Sequence, residues 1–378
     1  MVPSARNRRA ASSPRGILGS LTLLVLIEGA VGRHADTLAP PDARDWALAE
    51  RAARTSVRDC DVLCFGGSMT SHGVVPPVVT RVSGRSTFNL AVGFGPPGAQ
   101  YALLRRAIAS GARPSAVLFD LHPAALSEEP RHAKRLWPEV LGPSEIAELS
   151  WVARDAELFA TLALAEVLPT LRYRDSIRSA LTAALGGSPN ATPDLNRMIA
   201  RNKRVNSGGM IQPVKNFRGG VSPIFRPGLL TPPWKPSEAS GIYFKRFLDL
   251  AESRSIPVFW LIPPFCPSIR RERSALGLDA DYARFAASLQ EKYANLTVVD
   301  GLASHYDDEL FSDPVHLNRR GAAAFSEAVA GVLSERLGAG RGTGPRWVNL
   351  GAYRPAADGT LEDLSQSFLA SRPSGVRR

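Results

Sequence analysis

The sequence predicts an α/β fold with a doubly wound parallel sheet, and two observations support this prediction. Five short runs are apolar over almost their whole length and end at turn residues, which is typical of parallel strands covered on both faces. They are Asp61–Phe65, Thr87–Ala91, Ala116–Leu121, Pro257–Ile262 and Leu296–Val299. Segments with helical spacing of apolar residues separate these runs, so right-handed helical crossovers are expected between parallel strands.

Four helices are predicted in addition to these strands. They are Gly98–Ser110, Ser237–Ser253, Tyr282–Tyr293 and Arg319–Leu337. A long insertion, residues 127–236, separates the third strand from the fourth. Its part Ser144–Gly186 has helical spacing, whereas residues 187–236 are rich in Pro, Gly, Asn and Arg and show no dependable period. We therefore expect an irregular cap over the site, or a mobile loop, in the second half of the insertion.

The two ends of the chain differ from its body. Four arginines near the N-terminus precede an apolar run, residues 17–31, in which Glu28 is the only charged residue. This order predicts that residues 1–32 are a signal peptide or an uncleaved signal anchor. The body would then be exported, to a periplasmic or other extracytoplasmic space; the alternative is a buried helix of a cytosolic protein. Residues 338–378 are rich in Gly, Arg, Pro and Ser. This composition predicts a poorly ordered tail with one helical turn near Leu361–Leu369.

The formal net charge of +11 is distributed unevenly and does not indicate a nucleic-acid partner. The two ends supply much of it, and residues 188–236 hold eight basic side chains against the single acid Asp194. What remains of the chain is slightly acidic. Cys60, Cys64 and Cys266 are too few and too sparse for a disulfide framework. Neither a cofactor nor a metal site is predicted.

Ser68, Asp313 and His316 carry the strongest chemical signal. Ser68 follows the first strand and two glycines in V-L-C-F-G-G-S, at a sharp turn. Asp313 and His316 lie three residues apart in D-P-V-H after the last strand, where a carboxylate can orient an imidazole. Because the carboxyl ends of parallel strands meet at one sheet edge, the three side chains are expected to meet as nucleophile, general base and orienting acid. Taken singly, Ser68 and Asp313 also suit local turns or caps.

Three short blocks resemble the SGNH/GDSL hydrolase superfamily. They are G-G-S at 66–68, F-N-L-A-V-G at 88–93 and D-P-V-H-L-N at 313–318. The closer likeness is to an exported branch related to alginate O-acetylation proteins. The resemblance implies a flavodoxin-like three-layer α/β/α sandwich with a five-stranded parallel sheet, and a catalytic domain over residues 55–337. It also implies that Ser68, Asp313 and His316 are the catalytic residues.

The resemblance further implies an oxyanion hole built from the backbone N–H groups of Ser68 and Gly93, with Asn89 as an additional candidate. The family usually supplies an Asn side chain after the third strand, but this stretch reads F-D-L-H-P-A-A-L. His122 is either a substitute donor or a loop residue that caps the end of the strand. One such donor is typically worth about a hundredfold or more in rate, so the departure bears on activity itself.

The function expected from these residues is that of an exported serine esterase or O-acyltransferase working through an acyl-serine intermediate. Its substrate would be an acylated, most simply O-acetylated, envelope or extracellular glycan, or a small acyl ester. Arg204, Lys215, Arg218 and Trp234 are candidates for holding an anionic glycan, although a solvated irregular face is the simpler explanation of the charges. Two alternatives stay open, a catalytically weak SGNH-fold protein that binds glycan or an assembly partner, and a lipid-directed esterase.

Overall fold

The computed structural model of the protein describes residues 14–187, 189–220, 226–231, 235–338, 344–359 and 361–371. The strands in this part of the chain are β1 Val62–Phe65, β2 Thr87–Asn89, β3 Ala116–Asp120, β4 Val258–Ile262, β5 Leu296–Asp300 and β6 Trp347–Asn349. The α-helices are α1 Pro14–Arg33, α2 Ala35–Leu38, α3 Pro41–Thr55, α4 Ser68–Gly73, α5 Pro76–Ser83, α6 Pro97–Ala109, α7 Pro123–Ser127, α8 Pro143–Val152, α9 Ala156–Val167, α10 Pro169–Arg172, α11 Arg174–Leu185, α12 Thr192–Val205, α13 Arg226–Leu230, α14 Glu238–Ser253, α15 Pro267–Ala275, α16 Leu278–Lys292, α17 Arg319–Leu337 and α18 Leu364–Ala370. In the same described residues, three short 3₁₀ helices cover Pro130–Ala133, Trp137–Glu139 and Asp308–Leu310.

The strands form one parallel sheet in the order β2-β1-β3-β4-β5-β6. Alternate side chains of each strand enter two separate cores, as the period of two along a strand requires. In β1, Leu63 and Phe65 pack into a core shared with α3, α6 and α14, whereas Val62 and Cys64 pack into a core shared with α5 and α17. Helices therefore cover both faces of the sheet, which explains why its central strands are apolar throughout.

The predicted α/β class and parallel sheet are confirmed, and the five predicted strands correspond to β1 to β5. The prediction of five strands is wrong, because β6 adds a sixth beside β5. β6 lies in the segment predicted to be a poorly ordered tail. Only three residues form it, none of them fully buried, so no apolar run marks the strand in the sequence. The expected helical turn further along the tail corresponds to α18.

The folded body begins before residue 55, the expected domain boundary. Helix α3 buries Trp46, Ala49 and Ala53 in the core that it shares with α6. The Trp46 ring meets Trp137 edge-on at 5.6 Å, and its Nε1–H donates to the carbonyl of Gly93 at 2.8 Å. The apolar stripe of α3 consists mostly of alanines, which contribute little hydrophobic signal. The sequence therefore does not reveal this core helix, which follows the apolar N-terminal segment.

Residues 187–236 contain a regular helix, α12, where an irregular segment is expected. This helix buries amides rather than a stripe of apolar side chains. Asn196 donates to the carbonyl of Ala39 at 2.8 Å, and Asn202 donates to the carbonyl of Glu362 at 2.8 Å. Because the buried positions of α12 are largely polar, apolar periodicity cannot reveal it. The helix ties the N-terminal part of the body to the C-terminal segment that carries α18.

Helix α1 contains the predicted targeting segment. Its part Gly16–Arg33 is long and apolar enough to cross a membrane, with a mean hydropathy of 1.5, and none of it is buried within the protein. A signal sequence near an N-terminus has the same character. The structure is therefore consistent with a signal anchor or a signal sequence in this region.

A buried ion pair joins α3 to α12. Lys203 Nζ lies 2.5 Å from Asp45 Oδ1, and both side chains are less than a tenth exposed. We expect Lys203→Met to lower the free energy of unfolding by about 3–5 kcal/mol, because it leaves the Asp45 carboxylate buried without its countercharge. Urea titration of the full chain in detergent micelles, followed by tryptophan fluorescence, measures the loss.

The matched control is Lys245→Met, which removes an exposed lysine from a surface pair with Asp249. Its effect should stay within about 1 kcal/mol. The double variant Asp45→Asn/Lys203→Met should recover part of the stability lost in Lys203→Met. Equal midpoints for Lys203→Met and Lys245→Met would contradict the assignment of α3 and α12 to one cooperative body.

Candidate active site

Ser68 stands at the first position of α4, immediately after a tight turn at the end of β1. Gly66 makes this turn possible, because its φ is +138° and a Cβ there would lie 2.8 Å from the Asp120 carbonyl and 2.9 Å from Asp120 Oδ2. Asp120, the last residue of β3, accepts the N–H of Thr70 at 2.8 Å. The carboxylate of β3 thus holds the first turn of α4, and with it Ser68, against the carboxyl edge of the sheet.

His316 connects Ser68 to Asp313 through two short hydrogen bonds. His316 Nε2 lies 2.8 Å from Ser68 Oγ, and His316 Nδ1 lies 2.7 Å from Asp313 Oδ2. Asp313 Oδ1 also accepts the backbone N–H groups of Val315 and His316, both at 3.0 Å, so its carboxylate is fixed on both oxygens. The structure therefore brings together the three side chains that the sequence singles out.

Backbone and side-chain hydrogen bonds hold the segment that carries His316 in place. Asn318 caps α17 by accepting the N–H groups of Arg320 and Gly321, and its Nδ2 donates to the carbonyl of Glu309. The N–H of Ser312 donates to the His316 carbonyl at 2.9 Å, which closes the D-P-V-H turn. These bonds leave the His316 ring little freedom other than rotation about its own side-chain torsions.

The electrostatics of the site favour an ionised Asp313 and a neutral His72. Burial works against the ionised form of Asp313, but the hydrogen bonds from His316 and from the backbone outweigh it and lower the pKa of Asp313 to about 2. His72 packs edge-on against the His316 ring at 4.9 Å, and burial followed by repulsion from His316 lowers the pKa of His72 to about 3. His72 therefore stays neutral and adds no second charge next to an imidazolium at His316.

A cavity of about 520 Å³ gives access to Ser68 and His316. Its walls are mainly apolar and come partly from the insertion, which contributes Ile199 of α12 and Leu229 of α13. Phe94 lines the opening in a left-handed backbone conformation (φ +54°) with its ring largely exposed. The insertion therefore forms part of the wall over the site, as a cap would.

Two of the expected oxyanion donors are engaged elsewhere. The N–H of Gly93 donates to Asp45 Oδ2 at 2.9 Å, so it is directed into the body rather than toward Ser68. Asn89 is buried, and its Nδ2 donates to the carbonyls of Thr70 and Val74 while its Oδ1 accepts the N–H of Ala91. Both residues shape the loop after β2. Contrary to expectation, their N–H groups are therefore not free to stabilise an oxyanion.

His122 has the properties of a hydrogen-bond donor beside the site. Its Nδ1 accepts the N–H of Ala124 at 3.1 Å, so the proton of the neutral ring resides on Nε2. Burial, together with the nearby charge of Arg273, lowers the pKa of His122 to about 3 and keeps the ring neutral. Nε2 is buried and has no hydrogen-bond partner among the described residues. His122 lines the same cavity as Ser68.

Three of the four residues expected to hold a glycan do not lie in this cavity. Arg204 faces a separate groove beside α3, and Lys215 and Arg218 are exposed away from the cavity lining. Trp234 lies outside the described residues. The ionisable side chains that do line the cavity are carboxylates and histidines, with Asp42 and Glu128 toward its opening.

Asp120 is a site residue that was not predicted from the sequence. It is fully buried at the end of β3, and burial raises its pKa to about 6 despite the hydrogen bonds it accepts. A lone carboxylate that ends an otherwise apolar strand is the signal that could have identified it. His72, one turn after Ser68, is a second such residue, and nothing in the spacing of S-M-T-S-H-G distinguishes it from a surface histidine.

In comparisons with known proteins, no family model and no curated protein matches the chain. The chemistry of the site therefore rests on its geometry.

The two glycines before Ser68 differ in what surrounds them, which allows a matched test. We expect Gly66→Ala to lower the free energy of unfolding by about 1–3 kcal/mol, because a Cβ at φ +138° is strained and collides with Asp120. Gly67 has an extended backbone, and a Cβ there would meet no atom within 4 Å, so Gly67→Ala should change stability by about 0.5 kcal/mol or less. Urea unfolding of both variants measures the difference, and equal losses would contradict the role of Gly66.

Proposed function

We propose that the protein is a serine esterase or O-acyltransferase of the SGNH type that works through an acyl-Ser68 intermediate. The observation that carries this proposal is the continuous hydrogen-bonded chain from Asp313 through His316 to Ser68. This series of hydrogen bonds ends at the Ser68 hydroxyl, which lines an open cavity. Short contacts of this kind between a nucleophile, a base and an orienting group are the signature of covalent catalysis.

In the proposed reaction, Ser68 Oγ attacks the ester carbonyl while its proton passes to His316 Nε2. The imidazolium that forms is stabilised by Asp313, which stays ionised because its pKa is low. His316 then protonates the departing alkoxide, and the acyl group remains bonded to Ser68. Water or a sugar hydroxyl attacks this acyl group, gives its proton to His316, and releases Ser68, which recovers the proton. Hydrolase and transferase differ only in the acceptor.

We assign the oxyanion hole to the Ser68 N–H and His122 Nε2–H. The family's Asn is missing, and the Gly93 and Asn89 groups are engaged elsewhere, so His122 is the side-chain donor that remains next to the cavity. A donor held neutral and in one tautomer can stabilise the negative charge that develops on the carbonyl oxygen.

The strand order supports the proposed flavodoxin-like three-layer α/β/α sandwich. The first five strands follow the order 2-1-3-4-5 that defines this arrangement, and β6 extends it at one edge. In such sheets a ligand binds where the strand order reverses, which here lies between β1 and β3. Ser68 follows β1 and His122 follows β3, so the proposed site occupies this crevice.

We propose an exported enzyme whose substrate is an acylated envelope or extracellular glycan. Because the described lining of the cavity includes carboxylates but neither lysine nor arginine, a neutral glycan fits it better than an anionic one. A lipid-directed esterase is the second candidate, and the size and mainly apolar walls of the cavity favour it. The two candidates share Ser68, Asp313 and His316 and differ in the acyl chain that the walls accommodate.

We expect a fluorophosphonate probe to label the wild-type protein at Ser68. Ser68→Ala and His316→Ala should each lose labelling and reduce p-nitrophenyl acetate hydrolysis roughly a thousandfold or more, because the nucleophile or its base is gone. In-gel fluorescence and initial rates provide the measurements. Release of acetyl groups with and without a sugar acceptor then distinguishes transferase from hydrolase.

The matched controls for these variants are Ser274→Ala and His132→Ala, which change an exposed serine and an exposed histidine outside the site. Both should label like the wild type. A wild-type protein that is folded but not labelled would contradict the proposal and favour a catalytically inactive glycan-binding protein.

A separate prediction concerns His122. We expect His122→Ala to lower kcat about 10²–10³-fold with little change in KM, because a donor to the oxyanion acts in the transition state. His122→Gln places an amide N–H near the position of Nε2 and should restore part of the rate. Steady-state kinetics with p-nitrophenyl acetate measure both. If His122→Ala kept the kcat of the wild type, the oxyanion hole would be formed without the His122 ring, and this assignment would be wrong.

A further inference from the structure

A concentration of exposed apolar side chains lies on the helices of the insertion. In the described residues, twelve large apolar side chains outside α1 are exposed, and seven of them fall within residues 151–185. We call these seven the insertion face: Trp151, Phe159, Leu164, Val167, Leu171, Leu181 and Leu185. Two are almost fully exposed, Trp151 at 84% and Leu185 at 90%. Scattered apolar residues are normal on a soluble surface, but such a concentration indicates an interaction site.

The insertion face adjoins the apolar helix α1. Thr170, at the start of α10, donates its backbone N–H to Glu28 at 2.8 Å and its hydroxyl to the other Glu28 oxygen. A Cβ at Gly32 would lie 3.5 Å from the Pro169 ring, so the two helices touch closely. The single acid of α1 is thus satisfied by the folded body, which a helix destined for removal does not require.

A groove between α1 and α11 combines apolar and basic side chains. Ile27 and Val31 of α1 face Ile177, Leu181 and Leu185 of α11 across a space of about 400 Å³. Arg174 and Arg178 line the same groove. Arg178 has no ion-pair partner in the described part of the chain, and Arg174 has only a 4.0 Å contact with its neighbour Asp175.

We propose that α1 stays attached as a membrane anchor and that the insertion face rests on the outer surface of the same bilayer, with Arg174 and Arg178 at the level of anionic headgroups. A bilayer is the occupant that suits these observations. Leu181 and Leu185 of the face border a helix long enough to span hydrocarbon. Helix α11 is amphipathic, and the aromatic residues and arginines of this region are typical of the membrane interface.

This arrangement holds the cavity close to the membrane. Pro41 and Asp42 line the cavity and follow the last residue of α1, Arg33, by only eight and nine positions. Even a fully extended link of that length spans only about 30 Å, and α2 shortens it. Under the proposed function, the enzyme would therefore act on acyl groups presented near the bilayer surface. The docking itself does not depend on catalysis.

The test uses the full chain in vesicles, labelled with an environment-sensitive dye at Val167→Cys or Leu181→Cys. Cys60→Ser removes the accessible native thiol, and Cys64 and Cys266 are fully buried. In vesicles of phosphatidylcholine and phosphatidylglycerol, both labels should shift to shorter wavelength and lose most of their emission to lipids that carry a nitroxide quencher. The control labels, Leu276→Cys and Leu369→Cys, replace exposed leucines outside the face and should not respond.

A second comparison tests the charges. Arg174→Glu/Arg178→Glu should weaken quenching at Leu181→Cys in anionic vesicles and leave it unchanged in phosphatidylcholine alone. The matched control is Arg113→Glu/Arg254→Glu, because these arginines are exposed and outside the insertion, and they precede the amino ends of β3 and β4.

Three outcomes would overturn the proposal. The first is the absence of lipid quenching at both insertion-face labels. The second is a spectral shift without quenching that disappears on dilution, because that would show contact between copies of the chain. The third is a mature protein from the membrane fraction whose sequence starts after α1. Because labelling of Ser68 by fluorophosphonate is independent of all three, failure here is distinguishable from failure of the proposed function.

Discussion

The contact between the turn at Gly66 and the carboxyl group of Asp120 determines where Ser68 lies. β1 and β3 are neighbours in the sheet, and the turn after β1 passes so close to the end of β3 that no side chain fits at position 66. Asp120 then binds the N–H of Thr70, which sets the direction of α4. The remaining geometry follows, because Ser68 can meet His316 only if α4 leaves the sheet in this direction.

The same contact has an electrostatic cost. Asp120 is fully buried, and its pKa of about 6 shows that the ionised form is poorly solvated there. Its folded-state pKa is raised, so the protonated form favours folding below the ordinary carboxyl range, and this contribution is lost as the pH rises through about 6. Asp313 behaves in the opposite sense, because its lowered pKa favours folding above the ordinary carboxyl range. The two carboxylates thus separate in role, one holding the turn and one holding the imidazole.

How far the sequence predicts this molecule depends on what each segment buries. Strands β1 to β5 bury apolar side chains, and α17 has a cap at Asn318 and a glycine stop, so their positions were predictable to within a few residues. Ser68, Asp313 and His316 were predictable because parallel strands deliver their carboxyl ends to one edge. Helices α3 and α12 were not, because alanines and buried amides carry no apolar period. The role expected for Asn89 came from the resemblance, which does not show what a buried amide binds; here it donates to the carbonyls of Thr70 and Val74.

The insertion between β3 and β4 contributes to the fold, to the site and to the proposed membrane contact. Its helix α12 supplies a wall of the cavity through Ile199 and joins the body through Lys203, while its earlier helices carry the exposed apolar face beside α1. Ser68 and His316 lie at the carboxyl ends of the strands, whereas side chains of the insertion form part of the wall of the cavity through which a ligand would approach them. A cavity whose lining includes Pro41, shortly after the end of α1, cannot move far from a membrane that holds that helix. Retention of α1 would therefore restrict the substrate by position as well as by the shape of the cavity, whichever acyl group the proposed enzyme accepts.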